Sequence, residues 1–536
     1  MVEAVKVEYI GWEDDFRYAE EKQRITEHIQ KIAADNGFTH ACVQRAEWIT
    51  DRLEKYVFTR LWFNEDGDLE KGPELFEPAT ANTLKREFLD SANVHIECVL
   101  VHIHRGLMSS RTYAPSPSTF TEDPDRYRKN ALHPVTIGDL FECGRYRIVH
   151  KLGSGSFGTV WLGRDRTENR YVSLKILSAD IPPDCKELRI LQEITESTVN
   201  HKGREFVLQL LDHFTICGPN GHHLCIVAPV AGDRLARKPG LPYNSLEWPR
   251  MIGLQVAEAL GYLHILGIAH GGGSISYPMR EYGLTWDADC YTSNILSQLL
   301  PFDDWTEGEL YDVLGPPIKH PVRRLDGGPR GNNAPAYTVD PADIAALEAR
   351  LHTDRILLID FGAAFYHHER PDRIYTPAPF ASPEIVFGGE LTSAVDQWAF
   401  GCLLYELCAD RSLVKLLFGW NNDAMKDQVA MLGKPPEALW QNWERRDKYF
   451  HPNGAPKEAQ GRRLKVRPLP LKQRVRNLEK PLGERCYGTG DEAPLAPDLQ
   501  SLYDLLKRIL IYDARSRLSF EAVKAHPFFR AQGSTW

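Results

Sequence analysis

The sequence predicts an α+β fold: a strand-rich amino-terminal lobe, a helical carboxyl-terminal lobe, and a small α/β segment before both. Apolar strand patterns cluster between residues 146 and 230, with glycines between the first two strands. Apolar helix patterns dominate after residue 249. A short buried strand, 356–359, ends on Asp360-Phe361-Gly362. A carboxylate beside a backbone hinge can hold a divalent metal against a phosphate, so we take this tripeptide as the centre of a candidate site.

Length and composition set outer limits on the function. The 536 residues leave room for two or three domains, and the 43 % hydrophobic content suffices for large cores. The net charge of -9 gives no case for direct nucleic-acid binding. Ten cysteines without a CxxC pair indicate reduced thiols in the cytosol or nucleus. The start of the chain lacks the apolar core of a signal peptide, and no apolar run of about 18 residues predicts a membrane helix.

The first 106 residues are expected to form a folded α/β segment to which the sequence assigns no function. Patterns predict an amphipathic helix over 14–34, a second helix over 46–63 and a strand over 95–104. Residues 107–132 are rich in Ser, Thr, Pro and charge and are expected to be a linker. A further domain then covers 133–530, with its smaller lobe at 133–231 and its larger lobe at 232–530.

A glycine-rich stretch follows the first strand of this domain. The strand 146–152 leads into Gly153, Gly155 and Gly158. Backbone can approach phosphates closely only where side chains are absent, and three glycines at this spacing provide that. Because a strand and not a helix follows the glycines, the pattern predicts a hairpin flap and not a dinucleotide-binding turn.

A lysine lies inside the apolar strand 171–177. Such a lysine, Lys175, is costly to bury unless it is paired, and Glu187 in the next predicted helix is its natural partner. The alternative is an edge-strand lysine that points to solvent. Given the glycine flap before it, we favour a phosphate-binding role for Lys175.

Taken in order, these motifs resemble those of the protein kinases. The resemblance rests on the glycine flap, Lys175, Glu187, His270, Asn294, Asp360-Phe361-Gly362 and Ser382-Pro383-Glu384. Further along, Asp396 would brace the backbone of the catalytic loop, and Arg517 would pair with Glu384. Stretches such as HPVTIGDLF and LGKPPEALWQNWERRDKYF are most similar to the fungal SR-protein-kinase-like group. The resemblance spans residues 133–530.

This resemblance implies a bilobal kinase fold and transfer of the ATP γ-phosphate to Ser or Thr of protein substrates, with Mg²⁺ as cofactor. It also implies that these substrates are Arg/Ser-rich. The implied nucleotide-binding residues are Leu152, Gly153, Gly155, Gly158, Val160, Lys175 (held by Glu187), Ala228 and Ala231. Asn294 and Asp360 would hold Mg²⁺, and Asp289 would accept the proton of the substrate hydroxyl. We expect a monomer with no nucleic-acid or membrane partner.

The catalytic loop departs from the family pattern in its length. In protein kinases the catalytic Asp follows the loop His by two positions and precedes the metal-binding Asn by five. Here Asp289 precedes Asn294 by five but follows His270 by 19, which leaves 17 extra residues, 272–288. The extra residues are either a true excursion or a gene-model artefact such as a translated intron.

Two substitutions in the same loop bear on activity. Gly271 stands where an arginine would bind a phosphorylated activation loop, so an active enzyme would not need that phosphate. Tyr291 stands where most Ser/Thr kinases have a lysine that stabilises the transferring phosphate. A second hypothesis is therefore a pseudokinase that acts as a nucleotide-binding or interaction scaffold, and a third makes residues 1–106 the functional module.

A second insert covers residues 299–353. Patterns predict helices over 306–314 and 341–352, and we expect the insert to be a surface excursion on the larger lobe. A basic run that begins at Arg462 and continues through Arg474 and Arg476 is either a nuclear-import signal or, as we favour, a solvated loop. The expected location is cytoplasmic, nuclear or both.

Overall fold

The computed structural model describes residues 111–118, 120–234, 245–272, 294–374, 376–414, 421–458, 466–479 and 494–530, and the backbone of short strands before residue 103. In these ranges, no helix has the length and apolar character needed to cross a membrane.

The first hundred residues contain short strands. These are β1 (Lys6–Ile10), β2 (His40–Gln44), β3 (Ile49–Thr50), β4 (Leu53–Glu54), β5 (Trp62–Phe63), β6 (Leu69–Lys71) and β7 (Val101–His102). A three-stranded sheet has the order β1-β2-β7, with β1 and β2 parallel. The helix predicted over 46–63 is wrong, because β3, β4 and β5 lie there. The β-branched residues of β3 and the aromatic residues of β5 favour extended backbone. The helix predicted over 14–34 lies outside the described residues.

The smaller lobe is built on one six-stranded antiparallel sheet. Its strands are β8 (Leu140–Phe141), β9 (Tyr146–Gly155), β10 (Gly158–Asp165), β11 (Arg170–Leu177), β12 (Asp212–Gly218) and β13 (Gly221–Ala228), in the order β12-β13-β11-β10-β9-β8. Helix α1 (Lys186–Glu196) follows β11 and carries Glu187. The strands predicted from apolar patterns in this region are confirmed. One face of the sheet buries Ile148, Trp161 and Val172 completely.

The larger lobe is mainly helical. Its strands are β14 (Ala231–Arg234), β15 (Ile268–Ala269), β16 (Ile295–Leu299), β17 (Lys319–Pro321), β18 (Tyr337–Val339), β19 (His352–Leu358) and β20 (Phe365–Tyr366). Its helices are α2 (Glu247–Ile265), α3 (Glu307–Leu314), α4 (Ile344–Leu351), α5 (Pro383–Val386), α6 (Ala394–Ala409), α7 (Asn421–Leu432), α8 (Glu437–Asn442), α9 (Leu471–Arg476), α10 (Pro497–Ile509) and α11 (Phe520–Lys524). Helix α6 is buried on all sides, so it forms the centre of this lobe.

The predicted pair in the larger lobe is confirmed. Both guanidinium Nη atoms of Arg517 donate to the Glu384 carboxylate at 2.7 Å, and Nη1 also donates to the Ala394 carbonyl at 2.7 Å. The two side chains are almost wholly buried. This contact fixes α5 to the start of α6 and to the last part of the domain.

The second insert was expected to lie on the surface of the larger lobe. It packs on the sheet of the smaller lobe as well. Its two predicted helices are present as α3 and α4. One buried apolar cluster combines sheet residues with insert residues: Val149, Leu162, Tyr171, Phe302, Leu310, Leu314, Leu347 and Leu351. The Tyr171 and Phe302 rings stack with centroids 5.2 Å apart. The helices each bury one apolar stripe, and the uncovered face of the sheet is the surface that accepts both.

The segment predicted as a linker is also packed against the domain from residue 111 onward. Tyr113, Tyr127 and Leu132 are buried with two insert residues, Val322 and Ala334. Composition pointed to a linker because few apolar residues are present, yet three of these few are buried, while Phe120 is exposed.

The basic run is not a solvated loop at Arg474 and Arg476, although Arg467 is exposed. Arg474 is only 1 % exposed and pairs with Asp427 through Nη1 at 2.7 Å, and Arg476 is also buried. An arginine whose guanidinium is enclosed in this way is not available to a solvent-side partner. Residues 459–465 lie outside the described part.

Candidate active site

Lys175 lies between two carboxylates at the junction of the lobes. Its Nζ donates to Glu187 Oε1 at 2.6 Å and to Asp360 Oδ1 at 3.3 Å. Burial opposes the charge on this ammonium group, but Glu187 and Asp360 outweigh that effect and hold the pKa of Lys175 above its ordinary value. The lysine is therefore a fixed cation, as a group that binds phosphate must be.

The sheet register places the glycine flap over this lysine. Val160 pairs with Lys175 on one side and with Gly153 on the other. Directly paired residues share a face of the sheet, so Val160 lies beside the lysine side chain. Gly158 is required for the flap to lie so close to β11, because a Cβ there would be 2.3 Å from the Ile176 carbonyl oxygen. Leu152, which was also predicted to contact the nucleotide, is half-buried at the flap base.

Asp360 follows β19 in a strained conformation. Its φ of 63° lies in the left-handed region, where a residue other than glycine needs support from its surroundings. Gly362 N–H lies 3.4 Å from Asp360 Oδ1. Burial would raise the pKa of this carboxyl group, but Lys175, the Gly362 amide and His270 outweigh burial and lower it. Asp360 is therefore ionised and turned toward Lys175.

Both ends of the predicted catalytic loop meet at one residue, Ile359, immediately before Asp360. At the start of the loop, His270 Nε2 lies 3.1 Å from the Ile359 carbonyl oxygen. At its end, the Asn294 carbonyl accepts from the Ile359 N–H at 2.9 Å. Asn294 is buried beside the carboxyl end of β19. The two predicted metal ligands thus lie near each other, Asn294 just before β16 and Asp360 just after its paired strand β19.

Asp396 braces the start of that loop, as the resemblance implied. Its carboxylate accepts from the backbone N–H of His270 at 2.8 Å and of Gly271 at 2.9 Å. His264 Nε2 contacts the same carboxylate at 2.9 Å. Burial alone would raise the pKa of Asp396, yet His264 and these hydrogen bonds lower it. His264 was not predicted from the sequence, although it is a polar residue in the last turn of the apolar helix α2.

Gly271 cannot be replaced by a larger residue without a shift of the backbone. Its φ is 77°, and a Cβ would lie 2.5 Å from the Ala363 carbonyl oxygen. The lack of an arginine here is therefore built into the local geometry. The Thr376 hydroxyl donates to the Gly271 carbonyl at 3.0 Å and joins the segment after Asp360 directly to the loop.

The strand that connects the lobes forms the far wall of the site. Ala228, at the end of β13, is buried and pairs with Ser173 of β11. The Ser173 hydroxyl lies 3.1 Å from the carbonyl oxygens of both Ala228 and Pro229. Ala231 begins β14 and pairs with Gln298. Ser173 was not predicted, although its position two residues before Lys175 places it on the same face.

The structure thus brings together Lys175, Glu187, Asp360, Asn294 and His270 under the glycine flap. Asp289 and Tyr291 lie outside the described residues, so their predicted roles stay predictions. The donor set fits a divalent cation, because an ionised carboxylate and an amide side chain are the oxygen ligands that Mg²⁺ prefers.

Comparisons with known proteins agree with this geometry. The family model described as "Protein kinase domain" matches residues 349–529. The chain is 40 % identical to serine/threonine-protein kinase spk-1 of Caenorhabditis elegans over 156 residues, which are 28 % of this chain and 16 % of that protein. It is 39 % identical to human SRSF protein kinase 3 over 152 residues, 27 % of this chain and 26 % of that protein.

Longer but weaker matches extend over most of the domain. A serine/threonine protein kinase of Aspergillus fumigatus is 28 % identical over 341 residues, 62 % of this chain and 76 % of that protein. The worm and human matches cover less than a third of the length of those relatives. In its ordered site, its bilobal fold and these matches, the chain is similar to the eukaryotic protein kinases, and in particular to kinases of the SR-protein-kinase-like group.

Proposed function

We propose that the protein is an ATP-dependent serine/threonine protein kinase. The observation that carries this proposal is the contact of Lys175 with both Glu187 and Asp360 beneath the glycine flap. This arrangement places one fixed cation and one ionised carboxylate where the phosphate chain of a nucleotide would lie. Such chemistry needs little covalent participation from the protein, because positioning and charge neutralisation carry the rate.

In this proposal each group has one role. Lys175, held by Glu187, contacts the α- and β-phosphates. Asp360 and Asn294 would hold Mg²⁺, which would supply positive charge beside the transferring phosphate. Asp289 orients the substrate hydroxyl and accepts its proton.

The proposed protein substrates are Arg/Ser-rich. Support comes from the similarity of the chain to the SR-protein-kinase-like group, which includes SRSF protein kinase 3. A transfer assay with an Arg/Ser-rich peptide, beside a peptide with the serines kept and the arginines replaced by glutamine, tests this preference. Equal rates on both peptides would remove the Arg/Ser preference and leave the kinase proposal intact.

The experiment for catalysis compares the full chain with its Asp289→Ala variant. We expect the variant to bind Mg-ATP with wild-type affinity, measured by thermal shift, and to lose phosphate transfer. Equal transfer by both proteins would remove Asp289 from the proposed role. Nucleotide binding without transfer by the wild type would instead favour the scaffold hypothesis, which the substitutions Gly271 and Tyr291 motivate.

A further inference from the structure

The segment 111–132 contacts the glycine flap at both its base and its tip. At the base, Lys151 of β9 is completely buried and pairs with the buried carboxylate of Glu122. The Tyr127 hydroxyl donates to the same carboxylate. At the tip, Arg126 Nη2 donates to the Ser156 carbonyl oxygen at 2.7 Å. We call residues 111–132 the arm.

The arm is itself held in place by hydrogen bonds at both of its ends. The Tyr113 hydroxyl donates to the Arg330 carbonyl at 2.7 Å, and the Ala114 N–H donates to the Arg323 carbonyl at 2.9 Å. At the other end, the Ala131 carbonyl accepts from Ala179 N–H at 3.0 Å. The arm therefore joins the insert to the sheet across the outer side of the flap.

The flap tip combines flexible backbone with an exposed aromatic side chain. Gly155 and Gly158 flank the tip, and glycine backbone has the largest conformational freedom. Phe157 is 48 % exposed, so its ring does not anchor the tip in a core. The Phe157 carbonyl accepts from Ser178 N–H at 2.8 Å. Two successive carbonyls of the tip are thus held from two sides, one by the body of the sheet and one by Arg126.

We propose that the arm is a strap that positions the glycine flap over the phosphates of the nucleotide, with Arg126 as the positioning residue at the flap tip. The proposal rests on the proposed function, because it concerns the same nucleotide site. The buried contact of Glu122 with Lys151 fixes the strap to the flap base. The more exposed contact of Arg126 with the Ser156 carbonyl sets the height of the tip.

The test uses the full chain, its Arg126→Ala variant and, as matched control, Arg128→Ala. Arg128 is an exposed arginine two residues along the same arm. Affinities for Mg-ATP and for adenosine are measured by calorimetry, because the flap contacts phosphates and not the nucleoside. One hydrogen bond of this kind predicts a roughly two- to tenfold weaker binding of Mg-ATP by Arg126→Ala. Adenosine affinity should not change, and Arg128→Ala should match the wild type for both ligands.

Hydrogen exchange of the peptide that contains residues 153–158 supplies a second readout that needs no ligand. We expect faster exchange there in Arg126→Ala and wild-type exchange in Arg128→Ala. Unchanged Mg-ATP affinity together with unchanged flap exchange would overturn the proposal. An equal loss of affinity for Mg-ATP and adenosine would also overturn it, because the arm would then be only structural. If the wild type binds neither ligand, the proposed function fails, and flap exchange alone decides for or against the strap.

Discussion

Replacement of Asp396 by asparagine is the sharpest perturbation of the loop that carries the candidate catalytic residues. The aspartate oxygens accept three hydrogen bonds in the core: Oδ1 from Gly271 N–H, and Oδ2 from His270 N–H and from His264. Asparagine has the same shape but only one acceptor oxygen. Whichever way the amide is turned, its NH₂ group faces a donor.

The magnitude follows from counting these bonds. One donor loses its partner in the core, at a cost of about 1–3 kcal/mol, and the other two exchange a charged acceptor for a neutral one, at about 1 kcal/mol each. Asp396→Asn should therefore lower the free energy of unfolding by about 3–5 kcal/mol. Part of this loss should appear as release of the loop that begins at His270. Phosphate transfer should fall much further than Mg-ATP affinity, because Asp396 contacts the catalytic loop at His270 and Gly271 but none of Lys175, Glu187 and Asp360.

Urea unfolding measures the loss, and Asp343→Asn is the matched control. Asp343 is exposed and caps α4 by accepting from Ala346 N–H at 3.2 Å, a role that asparagine fills equally well. The control should stay within about 0.5 kcal/mol of the wild type. A loss below about 1 kcal/mol in Asp396→Asn would refute the assignment of a bracing role.

The stability difference between the wild type and Asp396→Asn should depend on pH in a definite direction. The folded protein lowers the pKa of Asp396 below its ordinary value of ~4, so the ionised carboxylate stabilises the fold above that pH. This contribution is lost as the pH falls through the lower, folded-state pKa. The stability difference between wild type and Asp396→Asn should therefore narrow in acid and stay constant above about pH 5. A difference that widens in acid would contradict the assigned direction.

Three further predictions concern the site and the fold around it. Gly158→Ala should lower the free energy of unfolding by about 1–3 kcal/mol and raise the KM for ATP, because the new Cβ meets the Ile176 carbonyl. Unchanged stability and KM would contradict the close approach of the two strands. Lys175→Met should weaken Mg-ATP binding roughly 10- to 100-fold by calorimetry, and wild-type affinity would remove the lysine from the nucleotide site. Glu384→Gln should lower the free energy of unfolding by about 3–5 kcal/mol because it leaves a buried arginine without its anion. Its control is Glu390→Gln, which removes an exposed ion pair and should lower the free energy of unfolding by less than about 1 kcal/mol. Equal losses of stability in the two variants would refute the importance of the buried pair.

The parts of the fold that the sequence predicts well are those with strong local patterns. Apolar strands and glycines predict the flap, and a lone lysine in an apolar strand predicts its own carboxylate partner, Glu187. Both predictions follow from free-energy costs that depend on nearby residues. A buried charge is unfavourable unless it is paired, and a tight hairpin that approaches phosphates closely needs glycine. The order of the motifs then places Asp360 opposite that lysine.

The parts that the sequence does not predict are held by sparse long-range contacts. The arm buries two tyrosines and one ion pair in a stretch whose composition is that of a linker, so no periodicity marks it. The sequence of the insert helices shows which face of each helix is apolar, but not which surface that face packs against. In the structure that surface is the sheet of the smaller lobe. The same limit applies to Ser173, whose hydroxyl reaches two carbonyls that are more than 50 positions away.

The length of the catalytic loop need not decide between enzyme and scaffold, because its two ends are fixed independently of what lies between them. His270 and Asn294 both contact Ile359, one at its carbonyl and the other at its N–H. Asp396 holds the first end from the core, and β16 holds the second. When the two ends of a loop are already held together, the free-energy cost of closing the loop rises only with the logarithm of its length. A fourfold longer loop costs about 1 kcal/mol more. The extra residues can therefore be accommodated without moving Asp360 or Asn294, and the activity then depends on the position of the Asp289 carboxylate and on the effect of Tyr291.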